Sequence, residues 1–210
     1  MKTRNILTLI LVVFAAQMLC AQQSSYNYLF GKDKTKRTDT DLMFYGGLQH
    51  QHQDFFNNAF SFQGVEAGVL LKNSILIGIY GSAFVSNLEV EIADNPMYML
   101  INQGGFSGGM VHNNSRLLHT GFLLNLGYFS LAGSNNKLPL FRIADHEIAI
   151  SGIVLSPQVF AELNVSSWMK FRTGLAYNFY NFGSNATIAE SDLENFSFNF
   201  GFLFGKFSTD

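Results

Sequence analysis

Along most of the chain, apolar side chains return at every second position. The clearest stretch is near the end. Phe196, Phe198, Phe200, Phe202 and Phe204 alternate with Asn195, Ser197, Asn199, Gly201 and Leu203. Strict alternation of this length predicts a strand with one apolar and one polar or small face. Five phenylalanines on one face load it more heavily than a soluble sheet needs, and suit a surface that meets lipid. The same period runs through Val65–Leu71 and, after a Lys72-Asn73-Ser74 turn, through Ile75–Ala83. It returns at Leu118–Tyr128, Val159–Leu163 and Phe171–Phe179.

Charge respects this period. Glu66, Glu162, Lys170 and Arg172 all fall on the face opposite the apolar one. A charge facing lipid costs about 2–4 kcal/mol at the bilayer midplane, so a membrane barrel requires this partition. A soluble sandwich places Lys and Glu freely on its outer face. Two weaker patterns, at Leu42–Leu48 and Leu100–Met110, bring the expected strands to eight: 41–49, 62–71, 75–86, 99–111, 117–131, 153–163, 168–180 and 193–206. The predicted fold is all-β, an eight-stranded antiparallel up-and-down transmembrane barrel. Pro157 cannot donate to a ladder, so that strand is expected to begin near it or to carry a bulge there.

The connections support closure. Those at 50–61, 87–98, 132–152 and 181–192 are long, and those at 72–74, 112–116 and 164–167 are short. Outer-membrane barrels have short periplasmic turns and long extracellular loops, which orients the chain. Trp168 stands beside a short turn, where a periplasmic girdle belongs, and Tyr98, Tyr128 and Tyr180 stand toward the opposite strand ends.

The N-terminus reads as an address. Lys2 and Arg4 precede an apolar run from Ile6 to Ala16, and Leu19-Cys20-Ala21 offers a cleavage site. Residues 1–21 are therefore expected to be a signal peptide, 22–40 a polar periplasmic leader and 41–207 the barrel. The run is too short for a membrane helix, and no later apolar run approaches the length one needs. A lipidated Cys20 is disfavoured by the large residues before it.

Composition narrows the rest. Charged residues are 13%, aromatics 15% and hydrophobic residues 48%, with net charge −2. This balance excludes a basic nucleic-acid binder and ordinary disorder. One cysteine cannot build a disulfide framework.

Candidate chemistry is sparse. Turn lengths fix register: Leu71 pairs with Ile75 and sets Glu66 opposite Tyr80, while Asn164 pairs with Trp168 and sets Glu162 opposite Lys170, with Arg172 diagonal. Glu66, Tyr80, Glu162, Lys170 and Arg172 thus form an expected lumen network. The favoured role is a structural plug, since charges withdrawn from water need partners; a selective polar path is the alternative. His119 is expected inward, opposite Gly109. His50-Gln51-His52-Gln53-Asp54 is the one metal-like cluster, and a solvated loop is the favoured reading. His50, His52, Asp54 and Ser61 are available to a lipid-modifying enzyme, but no spacing specifies a triad, so no enzyme is expected. Gly104-Gly105-Phe106-Ser107-Gly108-Gly109 lacks the Gly-Lys-Ser/Thr of a phosphate loop. No cofactor or metal is expected.

The stretch Gln158–Val165 with its Glu162-Leu163-Asn164-Val165, then Trp168, Leu175-Ala176-Tyr177, Asp192-Leu193, Gly201 and Phe204-Gly205-Lys206-Phe207, resembles a family of uncharacterised small outer-membrane β-barrel proteins of Bacteroidetes type, OmpA/OmpX-like in architecture. The Ala21-Gln22 junction is similar to signal cleavage sites in that group. The resemblance implies a location in the cell outer membrane, no established activity, and delivery by the barrel-insertion machinery. One departure is that Phe207 is followed by Ser208-Thr209-Asp210, whereas such barrels often end on an aromatic. The expected role is structural or in cell-surface interaction, with outer-membrane lipid around the barrel and an extracellular partner met through 50–61, 87–98, 132–152 and 181–192. The alternatives are a barrel that binds or transports a small ligand or lipid, or a lipid-modifying barrel enzyme.

Overall fold

The computed structural model describes residues 27–30, 42–55, 58–84, 88–92, 95–134, 148–182, 190 and 193–207. The expected signal peptide and most of the expected leader lie outside these residues. Nine strand segments are present: β1 (Leu42–Phe55), β2 (Asn58–Leu71), β3 (Ile75–Phe84), β4 (Leu88–Ile92), β5 (Asn95–His112), β6 (Leu118–Ser134), β7 (Ile148–Ser166), β8 (Met169–Asn181) and β9 (Asn195–Gly205). Every neighbouring pair is antiparallel, and β9 returns to pair with β1. Both β3 and β4 pair with β5, at successive heights, so they act as one stave. The result is a closed eight-stranded antiparallel barrel, in which β9 meets β1 and β3 meets β5. No helix among the described residues is long and apolar enough to cross a membrane.

Alternation sorts the two faces. The five phenylalanines of β9 all point outward, as do Phe44, Leu48, Val65, Ile77, Phe106, Leu126 and Leu175. Glu66, Glu162, Lys170 and Arg172 all point inward and are buried. An outward apolar surface around a closed barrel is stable only against lipid. The expected location in the outer membrane stands on this surface together with the fold.

Inward glycines make the lumen narrow. A Cβ at Gly68 would lie 2.4 Å from the Ile77 carbonyl and 2.8 Å from the Tyr45 hydroxyl. A Cβ at Gly127 would lie 2.5 Å from both the Gly104 carbonyl and the Tyr80 hydroxyl. The glycines make room for large inward side chains. At the β2–β3 turn, Lys72 and Asn73 take φ of 47° and 56°, the left-handed backbone that suits a tight hairpin between twisted strands.

Several expectations need correction. The expected loop 50–61 is mostly strand: β1 and β2 pair out to Phe55 and Asn58. Likewise β4 and β5 pair out to Ile92 and Asn95 within the expected loop 87–98. Polar side chains on the outer wall gave these strand segments the composition of a loop, although inward and outward positions still alternate through Gln51–Asp54. Pro157 lies inside β7, which neither begins nor bulges at it. The ladder to β8 omits Ser156 and Pro157 and resumes in the same register at Gln158, which accommodates the missing N–H. The bulge falls instead between Asn164 and Ser166, at the turn. With the two-residue turn Ser167-Trp168 closed by the Ser166–Met169 pair, this bulge leaves β8 two places from the expected register, so Glu162 faces Arg172 and Asn164 faces Lys170. His119 pairs with Glu162 on β7 and lies beyond the last β5–β6 pair, His112 with Thr120, so it is not opposite Gly109. Tyr180 is 2% exposed and points into the lumen, leaving Tyr128, at 58%, as an outward aromatic near that end.

The bulge has a second consequence. The carbonyls of Asn164 and Val165 accept hydrogen bonds from the amides of Leu29 and Phe30, at 2.9 and 3.0 Å, and Ser115 accepts from Asn27 at 3.0 Å. Residues 27–30 thereby lie across the short-turn end of the barrel with Tyr28 buried.

Candidate functional site

The buried charges meet in the half of the lumen nearer the short turns. Glu162 on β7 is the hub. Its Oε1 accepts from Arg172 Nε at 2.8 Å and lies 2.7 Å from Arg172 Nη2. Its Oε2 lies 3.2 Å from Lys170 Nζ and 2.8 Å from His119 Nε2. Arg172 also sends Nη1 across the lumen to Glu66 on β2, at 2.9 and 3.2 Å from the two carboxylate oxygens. Because β9 and β1 stand between β8 and β2, this bond braces walls that share no ladder. Lys170 also donates to Asn114 Oδ1, and its ammonium lies 4.6 Å from the centre of the Phe207 ring. Arg172 sits 4.6 Å from the Phe160 ring.

Two carboxylates thus meet two basic side chains, with His119 as a fifth group. Each charge has partners, which is the condition for holding ions in a poorly hydrated interior. The turn completes the set. Asn164 Nδ2 donates to the carbonyls of Asn114 and Arg116, at 2.9 and 2.7 Å, and His119 Nδ1 lies 3.1 Å from the Arg116 carbonyl.

Tyr80 is opposite Glu66, the position its turn length predicts, but its hydroxyl has no hydrogen-bond partner among the described residues. Asn114, His119 and Phe207 belong to the cluster and were not expected in it. Asn114 looked like a turn residue, and His119 was recognised as inward without its partner. Phe207 lies beyond the alternating stretch, so only its aromatic character signalled a role.

Toward the long-connection end the described buried lumen side chains are uncharged. Gln53 Oε1 accepts from Gln51 at 2.8 Å and from Asn178 at 2.7 Å. Around these amides packs an apolar cluster, with Phe62, the ladder partner of Gln51, and Phe129 and Leu131 each under 2% exposed. Phe129 and Tyr180 meet edge to face at 4.9 Å. A second apolar cluster, including Met43, Leu70, Leu123, Leu203 and Phe207, lies toward the short turns. Leu203 is the ladder partner of Lys170, so this cluster shares the height of the charges, and Glu162, Lys170 and Arg172 are each no more than 5% exposed.

The His50–Asp54 segment is strand, with Gln51 and Gln53 turned into the lumen. His50, His52 and Asp54 point outward from β1. His52 Nδ1 lies 3.4 Å from Ser61 Oγ, while Gln63 Nε2 donates to His50 Nδ1 at 2.9 Å. Among the described residues no group of three or more His, Cys, Asp or Glu is arranged to hold a metal. Gly104–Gly109 lies within β5.

No family model matches the chain, and no curated protein matches it. Solved structures do. Neisserial surface protein A matches with a TM-score of 0.55 and 8% identity, over 80% of this chain and 99% of that one. OprG, an outer membrane protein of Pseudomonas aeruginosa, matches with a TM-score of 0.53 and 7% identity, over 88% and 99%. Ail, the attachment invasion locus protein of Yersinia pestis, in complex with the heparin analogue sucrose octasulfate, matches with a TM-score of 0.50 and 9% identity, over 78% and 97%. At such identities the likeness is one of fold: this chain folds as small outer-membrane β-barrels do.

Proposed function

We propose that this is a cell-surface barrel of a Gram-negative envelope, with a sealed lumen, whose role is structural or in interaction with an extracellular partner. The observation that carries the reading is the filled interior: Glu162, Lys170 and Arg172 are buried, pair with one another and pack among apolar side chains that occupy the rest of the lumen. An eight-stranded interior is just wide enough to be filled by side chains, and the crowded glycines agree with that. What remains available to a partner is the surface, above all the strand pairs β1–β2 and β4–β5, which extend through the expected loops 50–61 and 87–98.

In this reading residues 1–21 direct export and 22–40 form a periplasmic leader. The three short turns face the periplasm, and the barrel-insertion machinery assembles 41–207. Membership in a Bacteroidetes-type family remains part of the proposal and rests on the sequence resemblance alone. Glu66, Glu162, Lys170 and Arg172 serve as a structural plug with no catalytic role, since a salt-bridged cluster without access offers nothing to a substrate.

Proteoliposome swelling separates the readings. In arabinose, vesicles carrying the folded barrel are expected to swell no faster than empty vesicles. Swelling in proportion to the protein present would favour the transport alternative.

A further inference from the structure

The lipid-facing belt is not uniform around the barrel. On β9 it runs unbroken from Phe204 to Phe196. On the neighbouring β1 it covers Leu42, Phe44 and Leu48 and then stops. His50 pairs with Phe200, the middle one of the five phenylalanines, and His52 pairs with Phe198. On the other side, Gln63 faces His50 and Ser61 faces His52. Two imidazoles, an amide and a hydroxyl thus stand on the outer wall at a height where the adjacent strand is still lined with phenylalanine. A polar group placed against lipid is costly and calls for a partner.

From this patch we infer a site for the headgroup of a hydroxyl-rich lipid, a glycolipid, whose acyl chain lies along Phe198 and Phe200. Four observations select that occupant. First, the patch continues the surface that already meets lipid, so a lipid is what lies there. Second, the donors and acceptors are uncharged or weakly basic, and β1, β2 and β9 contain no lysine or arginine to attract a phosphate. Third, Asp54, further along the outward face of β1, accepts from hydroxyls and repels anions. Fourth, Gln63 Nε2 donates to His50 Nδ1, so the His50 hydrogen sits on Nε2, free to donate to a ligand oxygen. The His50 ring also packs 4.9 Å from Phe200, which fixes its plane. Beside the patch, outward Gly81 leaves open space on the wall: its nearest neighbour to an added Cβ is 4.0 Å away.

The inference requires the barrel to lie in a bilayer but not that its lumen be sealed, so the two readings fail separately. The test uses nanodiscs of phosphatidylcholine containing one minor lipid, either monogalactosyl diacylglycerol or phosphatidate. The barrel is released into native mass spectrometry and its retained lipids are counted. The wild-type barrel is expected to retain the galactolipid over phosphatidylcholine by about fivefold, the worth of one net hydrogen bond, with no preference for phosphatidate. His50→Leu/His52→Leu/Gln63→Leu, which extends the apolar belt, should bring the ratio to that of the bulk lipid. If this triple variant does not show the heat-shifted band of a folded barrel, Gln63→Leu alone should lower the ratio. Wild-type retention at the bulk ratio, preference for phosphatidate, or unchanged retention in the folded variant would each overturn the site.

Discussion

Arg172 holds Glu162 and Glu66 at once, one carboxylate beside it on β7 and the other across the lumen on β2. Its Nη1 lies 2.9 Å from Glu66 Oε2, and its Nη2 lies 2.7 Å from Glu162 Oε1. A single guanidinium therefore ties two walls that no ladder joins. Arginine suits this place because its planar fork bonds two carboxylates and keeps its charge when buried.

Glu162→Gln removes the hub. Lys170 loses its charged partner, and Arg172 keeps only Glu66. Breaking one member out of a buried ionic cluster costs about 3–5 kcal/mol. A clear drop in the urea midpoint of the refolded barrel is expected, with partial recovery when Lys170→Met and Arg172→Met are added. Glu190→Gln is the comparison: it is exposed and keeps the Oε1 acceptor used by the Phe182 amide. Equal effects of the two glutamine variants would mean that water reaches the Glu162 cluster.

Narrowness of the lumen makes its own prediction. Gly68→Ala would press a methyl group against the Ile77 carbonyl, whereas Gly108 points outward with nothing within 4 Å of an added Cβ. Overpacking of this kind costs about 1–3 kcal/mol. Gly68→Ala should lower the urea midpoint, and Gly108→Ala should leave it within error. A tolerated Gly68→Ala would show that the walls can move apart.

Orientation is tested by labelling. With residue 20 changed to serine, cysteines at Ser167 and Lys206, both exposed at the short-turn end, should resist a membrane-impermeant thiol reagent on whole cells. Cysteines at Ala59 and Glu190, exposed at the other end, should react. The reversed pattern would place the short turns outside.

The period of two made most of the barrel legible in the sequence. Alternation carried the facing of β9, the inward position of all four network charges, and the Glu66–Tyr80 pairing, because that hairpin has no irregularity. The β7–β8 pairing was not legible. A two-residue turn at Ser167-Trp168 and one extra residue between Asn164 and Ser166 together set every later partner, and nothing in local composition announces them. The carbonyls freed there are bonded by Leu29 and Phe30, which are distant in sequence. Strand extension through His50–Asp54 was hidden for a different reason: polar residues on a strand wall have the composition of a loop. The role of Asn114 was hidden because its partners, Lys170 and Asn164, come from two other strands.

The central claim is a membrane barrel whose lumen is closed. Conductance of the refolded, heat-modifiable protein in a planar lipid bilayer tests it most directly. A lumen filled by a mutually paired charge cluster and packed apolar side chains predicts no unitary current under applied voltage, with the bilayer staying at its baseline. Stable, reproducible current steps from the folded barrel would contradict the account.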